Sequence, residues 1–351
     1  MAPSGSPKGS LEPKASASPM DRLAGLALAP VHLIMGLADK PLRAWQKRTG
    51  IGGMALFFLA PNMLIFGMFV LLPIVINIVY SLTGGTALFL SERSFVGLDQ
   101  YRQLFNCANY LDAMTCQEDA FWTSLDNTFW FVVLQVTLMI LASLITALIL
   151  NRELAARSFW RAVFFFPVLL SPVVVGLIWK WILQRQGLLN FTLLPFGFEP
   201  HTWLSDRGFA FGAAVGVSIW AHMGFYTLIL LAGLQAIPKD LYEAAQMDGT
   251  RPARIFWRIT LPLLMPNLLV VVVLALIKAV QVFDEVFILT GGGPGTSTLF
   301  LTQYIYETGF VSQPRNAGLA AAASILMGLV LVVLTLIQLG VGRKNEAKGK
   351  R

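Results

Sequence analysis

The side chains with chemistry to offer fall into three groups. Seven charged residues, Lys239, Asp240, Glu243, Asp248, Arg251, Arg254 and Arg258, crowd around LYEAAQMDGTRPARIFWRITLPLLMP at 241–266, between two long apolar runs. Inside one run, Ser218, His222 and Tyr226 recur every fourth residue, with Trp220 and Phe225 beside them; another holds Lys278, Gln281, Asp284 and Glu285. The third group is Cys107 and Cys116, the only two cysteines. With three scattered histidines (His32, His201, His222), they give no metal-ligand spacing. No nucleophile, histidine and acid stand together as an enzyme needs. GGGPG at 291–295 lacks the Lys-Ser/Thr of a phosphate loop and reads as a turn.

Polar groups inside apolar runs are costly, so they face a cavity or another helix. Residues 278, 281 and 285 share one helical stripe by their spacing, as do 218, 222 and 226. Hydroxyls, amides and aromatic faces suit a sugar, whose CH faces stack and whose OH groups bond. Lys278 and His222 lean toward an anionic sugar or glycerol ester. The bland alternatives are an ion pair of Lys278 with Asp284 or Glu285, a cross-helix bond from His222, and simple packing of Tyr226.

The chain that must position these groups has 351 residues, 56% hydrophobic and 13% charged. A soluble domain carries about 25% charged residues. The net charge of +7 is spread over short segments between apolar runs, so membrane topology explains it better than nucleic acid does. Six runs reach the ~20 residues a spanning helix needs: about 54–80, 124–150, 162–183, 209–234, 263–289 and 317–341. Their prolines, Pro61, Pro73, Pro167 and Pro172 among them, predict bent helices. Residues 1–20 read as a disordered tail, 21–49 as an interfacial segment broken by Pro30, and 342–351 as a basic tail. Sixteen Lys and Arg flank the spans on one side and five on the other, which puts both termini and the charged stretch in the cytoplasm. The loop 82–122 then lies outside, where Cys107 and Cys116 are either a disulfide or two free thiols.

The charged stretch predicts two short helices. Pro238 opens the first, Asp248-Gly249 ends it, Thr250 caps the second, and Pro252 sits in its first turn. The second runs into the fifth span. Small Ala244 and Ala245, apolar Tyr242 and Met247, and the acceptor Glu243 make a knob that docks into a groove, unless the loop packs beneath its own bundle.

Glu243-Ala244-Ala245, Gly249, Ile259 and Leu261-Pro262 stand at the spacing of the EAA loop of ABC importer permeases, which this chain resembles. VGLDQYRQLF at 96–105, LAGLQAIPKDLYEAA at 231–245 and VFDEVFILTGGGPGTSTLFLTQYIYETGF at 282–310 look like the maltose and glycerol-phosphate type of carbohydrate permease. The likeness covers roughly 50–341 and leaves out the amino-terminal tail and the cysteine-bearing loop. It implies an all-α polytopic membrane protein, with six spans of the type I importer kind and a coupling loop at 235–261. It implies a non-catalytic permease in the bacterial inner membrane, importing a sugar, glycoside or related polyol or glycerol ester. Its partners would be a second permease, two cytoplasmic ATPase subunits that bind the ATP and Mg, and an external solute-binding protein; it needs no cofactor of its own. Tyr242, Glu243, Ala244, Ala245, Met247, Asp248 and Gly249 would meet the ATPase, with Glu243 on an arginine there. Ser218, His222, Phe225, Tyr226, Lys278, Gln281, Asp284 and Glu285 would meet the substrate. A permease for a non-carbohydrate solute, or a secondary transporter, is the alternative.

Overall fold

A computed structural model describes residues 45–47, 49–87, 89–110, 112–153 and 155–349. The expected tail at 1–20 and all but the end of the 21–49 segment lie outside the described residues. The chain divides into two compact units, up to Val75 and from Ile76 onward. The described part of the first is helical: residues 45–47, then the beginning of the apolar helix α1 (Thr49–Ser81).

The second unit is almost wholly helical. After α1 comes a short antiparallel pair, β1 (Thr83–Gly84) and β2 (Ser94–Phe95), with Thr83 opposite Phe95. Helix α2 (Asp99–Phe105) leads by a hairpin to α3 (Asp119–Leu150). Then follow α4 (Arg157–Phe165), α5 (Pro172–Ile182), α6 (Leu188–Leu193) and α7 (Arg207–Gln235). Helices α8 (Lys239–Met247), α9 (Pro252–Val280), α10 (Asp284–Thr290), α11 (Leu301–Tyr306) and α12 (Ala317–Gly349) complete the chain. The region expected as a basic tail continues α12 as helix up to Gly349.

Among the described residues, five helices are long and apolar enough to cross a membrane: α1, α3, α7, α9 and α12 over Ala317–Gln338. The bent pair Arg157–Leu169 and Pro172–Ile182 makes a sixth if it is one broken span. Within the expected third span, over 162–183, the chain turns by 102° between the two pieces. Pro172 forces the residue before it out of the helical region, and Ser171 is extended, with ψ 138°. The expected fifth span over 263–289 also breaks. Its helix stops at Val280, Phe283 adopts φ −149° and ψ −71°, and α10 starts anew at Asp284. The Thr302 hydroxyl donates to the Val282 carbonyl left free there.

Two wide helical turns, Gly67–Leu71 and Phe256–Thr260, each end two residues before a proline, Pro73 and Pro262. Proline lacks the amide that would continue the ladder and crowds the preceding turn, and a one-residue widening accommodates both effects.

Lipid is as apolar as leucine, so helices in a bilayer associate by close packing and hydrogen bonds rather than by hydrophobicity. The α3–α7–α9 core follows that logic. Met139, Ala147 and Leu150 meet Tyr226, Leu230 and Leu234, with Leu264, Val271 and Ala275 from α9. Small residues line the buried faces: Ser124, Thr128 and Ser143 on α3, and Ala214, Ala221 and Gly224 on α7.

Candidate functional site

Helix α8 and the start of α9 form an elbow. Pro238, with φ −57° and ψ 132°, feeds α8. Gly249, at φ +65°, ends it in the left-handed region where side chains are strained. Its N–H donates to the Gln246 carbonyl at 2.9 Å, and the Thr250 N–H donates to the Ala245 carbonyl at 3.0 Å. These two bonds satisfy carbonyls at the helix end. Thr250 does not cap the next helix, contrary to expectation. Arg251 holds that position in extended backbone with no side-chain bond, and its carbonyl receives the Arg254 and Ile255 amides. Pro252 then opens a helix that runs unbroken to Val280.

One face of α8 looks inward. Tyr242 packs on the α3–α7–α9 core, its hydroxyl 3.2 Å from the Thr260 hydroxyl, and Ala245 is buried. Positions 242 and 245 share a face, with Tyr242 half-buried and Ala245 bordering the crook of the elbow. Glu243, Ala244, Asp248 and Gly249 are exposed, and Met247 is 89% exposed. In the crook of the elbow lies a hollow of about 380 Å³, with Asp248, Arg254 and Arg258 on its walls.

The intramembrane residues sort differently from their sequence stripes. Ser218 and Glu285 are buried together, the Ser218 hydroxyl donating to Glu285 Oε1 at 3.4 Å. Gln135 of α3, fully buried, donates to the Ser218 hydroxyl at 3.4 Å. Sequence reasoning missed Gln135; the signal was an amide deep in the apolar run 124–150. Tyr226 is a core residue. His222 Nδ1 donates to the Ser218 carbonyl one turn back, at 2.9 Å, rather than across helices. Phe225, Gln281 and Asp284 are exposed, while His222 and Lys278 are half-buried. The stripe of Lys278, Gln281 and Glu285 does not exist, because the helix ends between the first and the other two. Among the described residues Lys278 makes no ion pair with Asp284 or Glu285; the pair present is Arg102–Asp99, at 3.1 Å.

Helix α10 is held against α5. A side chain at Gly176 would meet the Glu285 carbonyl oxygen at 2.8 Å, so only glycine permits the approach, and Lys180 Nζ donates to the Ile288 carbonyl at 3.2 Å. Between α5 and α7, Asn190 is buried and organises the loop. Its Nδ2 donates to the carbonyls of Gln184, Arg185 and His201, and its Oδ1 accepts from the His201 N–H and Trp203 Nε1.

At the α1–α3 connection Cys107 and Cys116 are joined in a disulfide. Arg93 is buried, donating to the Thr83 hydroxyl and the Ala87 carbonyl, and that burial pushes its pKa down. Tyr304 donates to Glu118 at 3.3 Å; burial, then the Glu118 charge, raise its pKa. Among the described residues no three histidine, cysteine or carboxylate side chains converge on a metal-sized site.

A family model described as "Binding-protein-dependent transport system inner membrane component" matches residues 139–346. The chain is 38% identical over 279 residues to the trehalose/maltose transport system permease protein MalF of Thermococcus litoralis, covering 78% of this chain and 88% of that one. It is 33% identical over 296 residues to the arabinooligosaccharides transport system permease protein AraP of Bacillus subtilis, covering 83% and 89%. Its fold matches a chain of a bacterial ABC transporter involved in the import of the acidic polysaccharide alginate, with a TM-score of 0.71 at 24% identity, covering 86% and 99%.

Proposed function

We propose a division of labour from one premise: the chain belongs to the binding-protein-dependent transport system inner membrane component family and is a permease subunit of an ABC importer. Its cargo is a sugar or a sugar-derived solute, the class for which the relatives above are named. It lies in the inner membrane with both termini cytoplasmic, as the excess of basic residues on that side favours. It hydrolyses nothing itself, its sequence having no phosphate-binding loop. A second permease completes the pathway, two cytoplasmic ATPase subunits bind ATP and Mg, and an external binding protein delivers the solute.

The observation that carries this reading is the elbow. Glu243, Ala244 and Met247 face outward from a short helix whose glycine stop joins it to a helix unbroken to Val280. When ATP closes the ATPase pair, α8 moves with it and α9 turns the pathway outward. ATP and solute select between two arrangements by differential affinity. Glu243 pairs with an arginine of the ATPase cleft, where the planar fork of a guanidinium fits a carboxylate. Along the pathway the accessible residues Phe225, Gln281 and Asp284 meet the solute, with His222 and Lys278 at the margin. Ser218 and Glu285 hold the wall behind them.

Reconstitution with its partners tests the proposal. Uptake should need ATP, survive collapse of ion gradients, and fall at least about tenfold in Glu243→Lys, which sets like charge against the arginine. Uptake driven by an ion gradient without ATP, or parental coupling in Glu243→Lys, would refute it.

A further inference from the structure

We infer that Arg157 and Arg161 form a seat for the phosphate of an anionic phospholipid in the cytoplasmic leaflet, an inference that rests on the importer topology proposed above. Three helix ends meet there: the end of α3 at Leu150, the start of α4 at Arg157 and the end of α7 at Gln235. Arg157 and Arg161 lie one turn apart on α4 and so share a face. Each donates an Nη2 hydrogen to the Gln235 amide oxygen, at 3.0 and 2.8 Å. Arg157 Nε also donates to the Leu150 carbonyl at 2.7 Å. Two cations thus converge on one neutral oxygen. Among the described residues neither makes an ion pair.

The internal bonds leave both donors and charge unspent. A guanidinium carries five N–H groups. Arg157 uses two of them inside the chain and Arg161 one. Arg161 Nε is buried without a partner among the described residues, a costly state for a charged donor. The ends of α3 and α7 each carry about half a negative charge, which offsets roughly one of the two cations. Arg152 and Glu153, exposed in the connecting turn, offset each other. A positive charge with open N–H forks remains, and that chemistry fits a phosphate. The rest of α4 says what carries the phosphate. Phe159, Trp160, Val163 and Phe166 are exposed on a helix that opens the third span. Hydrocarbon therefore begins immediately beyond the arginines, and tryptophan is at home at that depth. An acidic soluble protein would leave this apolar surface uncovered, whereas a lipid satisfies the arginines with its headgroup and the aromatic surface with its chains. Basic pockets between spans on the cytoplasmic side suit anionic headgroups. Gln235 lies three residues before Pro238, which feeds α8, so a lipid bridging α4 and the end of α7 steadies the approach to the elbow.

The test titrates phosphatidylglycerol or phosphatidylcholine onto the purified transporter and reads bound lipid by native mass spectrometry. The parent should bind phosphatidylglycerol at least about tenfold more tightly than phosphatidylcholine. Arg157→Gln or Arg161→Gln should weaken phosphatidylglycerol about fivefold, and the double variant about thirtyfold. Arg157 also closes the end of α3, so Arg161→Gln alone decides the matter if the double variant does not assemble. Removing two charges from the end of α12, in Lys344→Gln with Lys348→Gln, should change the affinity less than about twofold. No preference for phosphatidylglycerol, equal loss in the two double variants, or displacement of the bound lipid by inorganic phosphate overturns the inference. Benzoylphenylalanine in place of Phe159 should capture lipid on irradiation; capture of an ATPase subunit instead overturns it as well. The two readings fail separately. If no ATPase accompanies the purified chain, the importer reading falls. If ATP drives uptake while the two lipids bind alike, only the lipid seat falls.

Discussion

Substitution at Gly249 isolates the elbow's backbone from its contacts. A Cβ built on Gly249 meets nothing within 4 Å, so no side-chain clash can confuse the result. What changes is the energy of holding φ at +65°. Alanine in that region costs about 1–2 kcal/mol, and asparagine, which tolerates it, less. Proline fixes φ near −65° and deletes the N–H that Gln246 accepts at 2.9 Å, so it costs about 3 kcal/mol or more. The elbow population relative to a straightened or unwound junction then falls about 5–30-fold for alanine and over a hundredfold for proline. Because the chain passes from α8 into α9 through this junction, with the Tyr242–Thr260 contact beside it left in place, the ratio of solute imported to ATP hydrolysed in proteoliposomes should fall in the order glycine, asparagine, alanine, proline. Insertion and assembly, checked by size-exclusion chromatography, should persist. Parental coupling in Gly249→Pro, or a loss in Gly249→Asn as large as in Gly249→Pro, would refute the reasoning.

Two further predictions concern the α1–α3 and α5–α7 connections. Asn190→Ala strands up to five polar groups; allowing for water reaching some of them, the local cost is about 3 kcal/mol. Hydrogen exchange at the His201 amide should rise about a hundredfold, and Asn190→Asp, the same size but turning an oxygen toward three carbonyls, should do no better. Exchange unchanged in both variants would contradict the hub. Tyr304 has a pKa raised by burial and by Glu118, so its contribution to stability is whole below the ordinary tyrosine value of about 10 and is lost as pH rises above it. Thermal melts between pH 9 and 11 should show that decline in the parent and less of it in Tyr304→Phe; parallel curves would remove the effect.

Much of the elbow was legible because its signals are local. Pro238 and Pro252 fix their own φ, Gly249 alone takes φ +65° without strain, and the observed helices start and stop on them. Which face of α8 turns outward was not legible. The EAA residues occupy adjacent positions, and only the place of Thr260 and the α3–α7–α9 core decides that Tyr242 and Ala245 go in.

Sequence by itself determined the apolar runs, their basic flanks, the elbow and the likeness to importer permeases, since each rests on composition or spacing within a few dozen residues. Tertiary structure alone decided the break after Val280 and the polar cluster. The break after Val280 answers to Thr302 and the close seating of α10 on Gly176. Gln135, Ser218 and Glu285 come from three separate helices and meet because unpaired polar groups are too costly to leave alone in a bilayer. Such demands are met by whichever partner the packing brings near, and spacing along the chain does not say which that is.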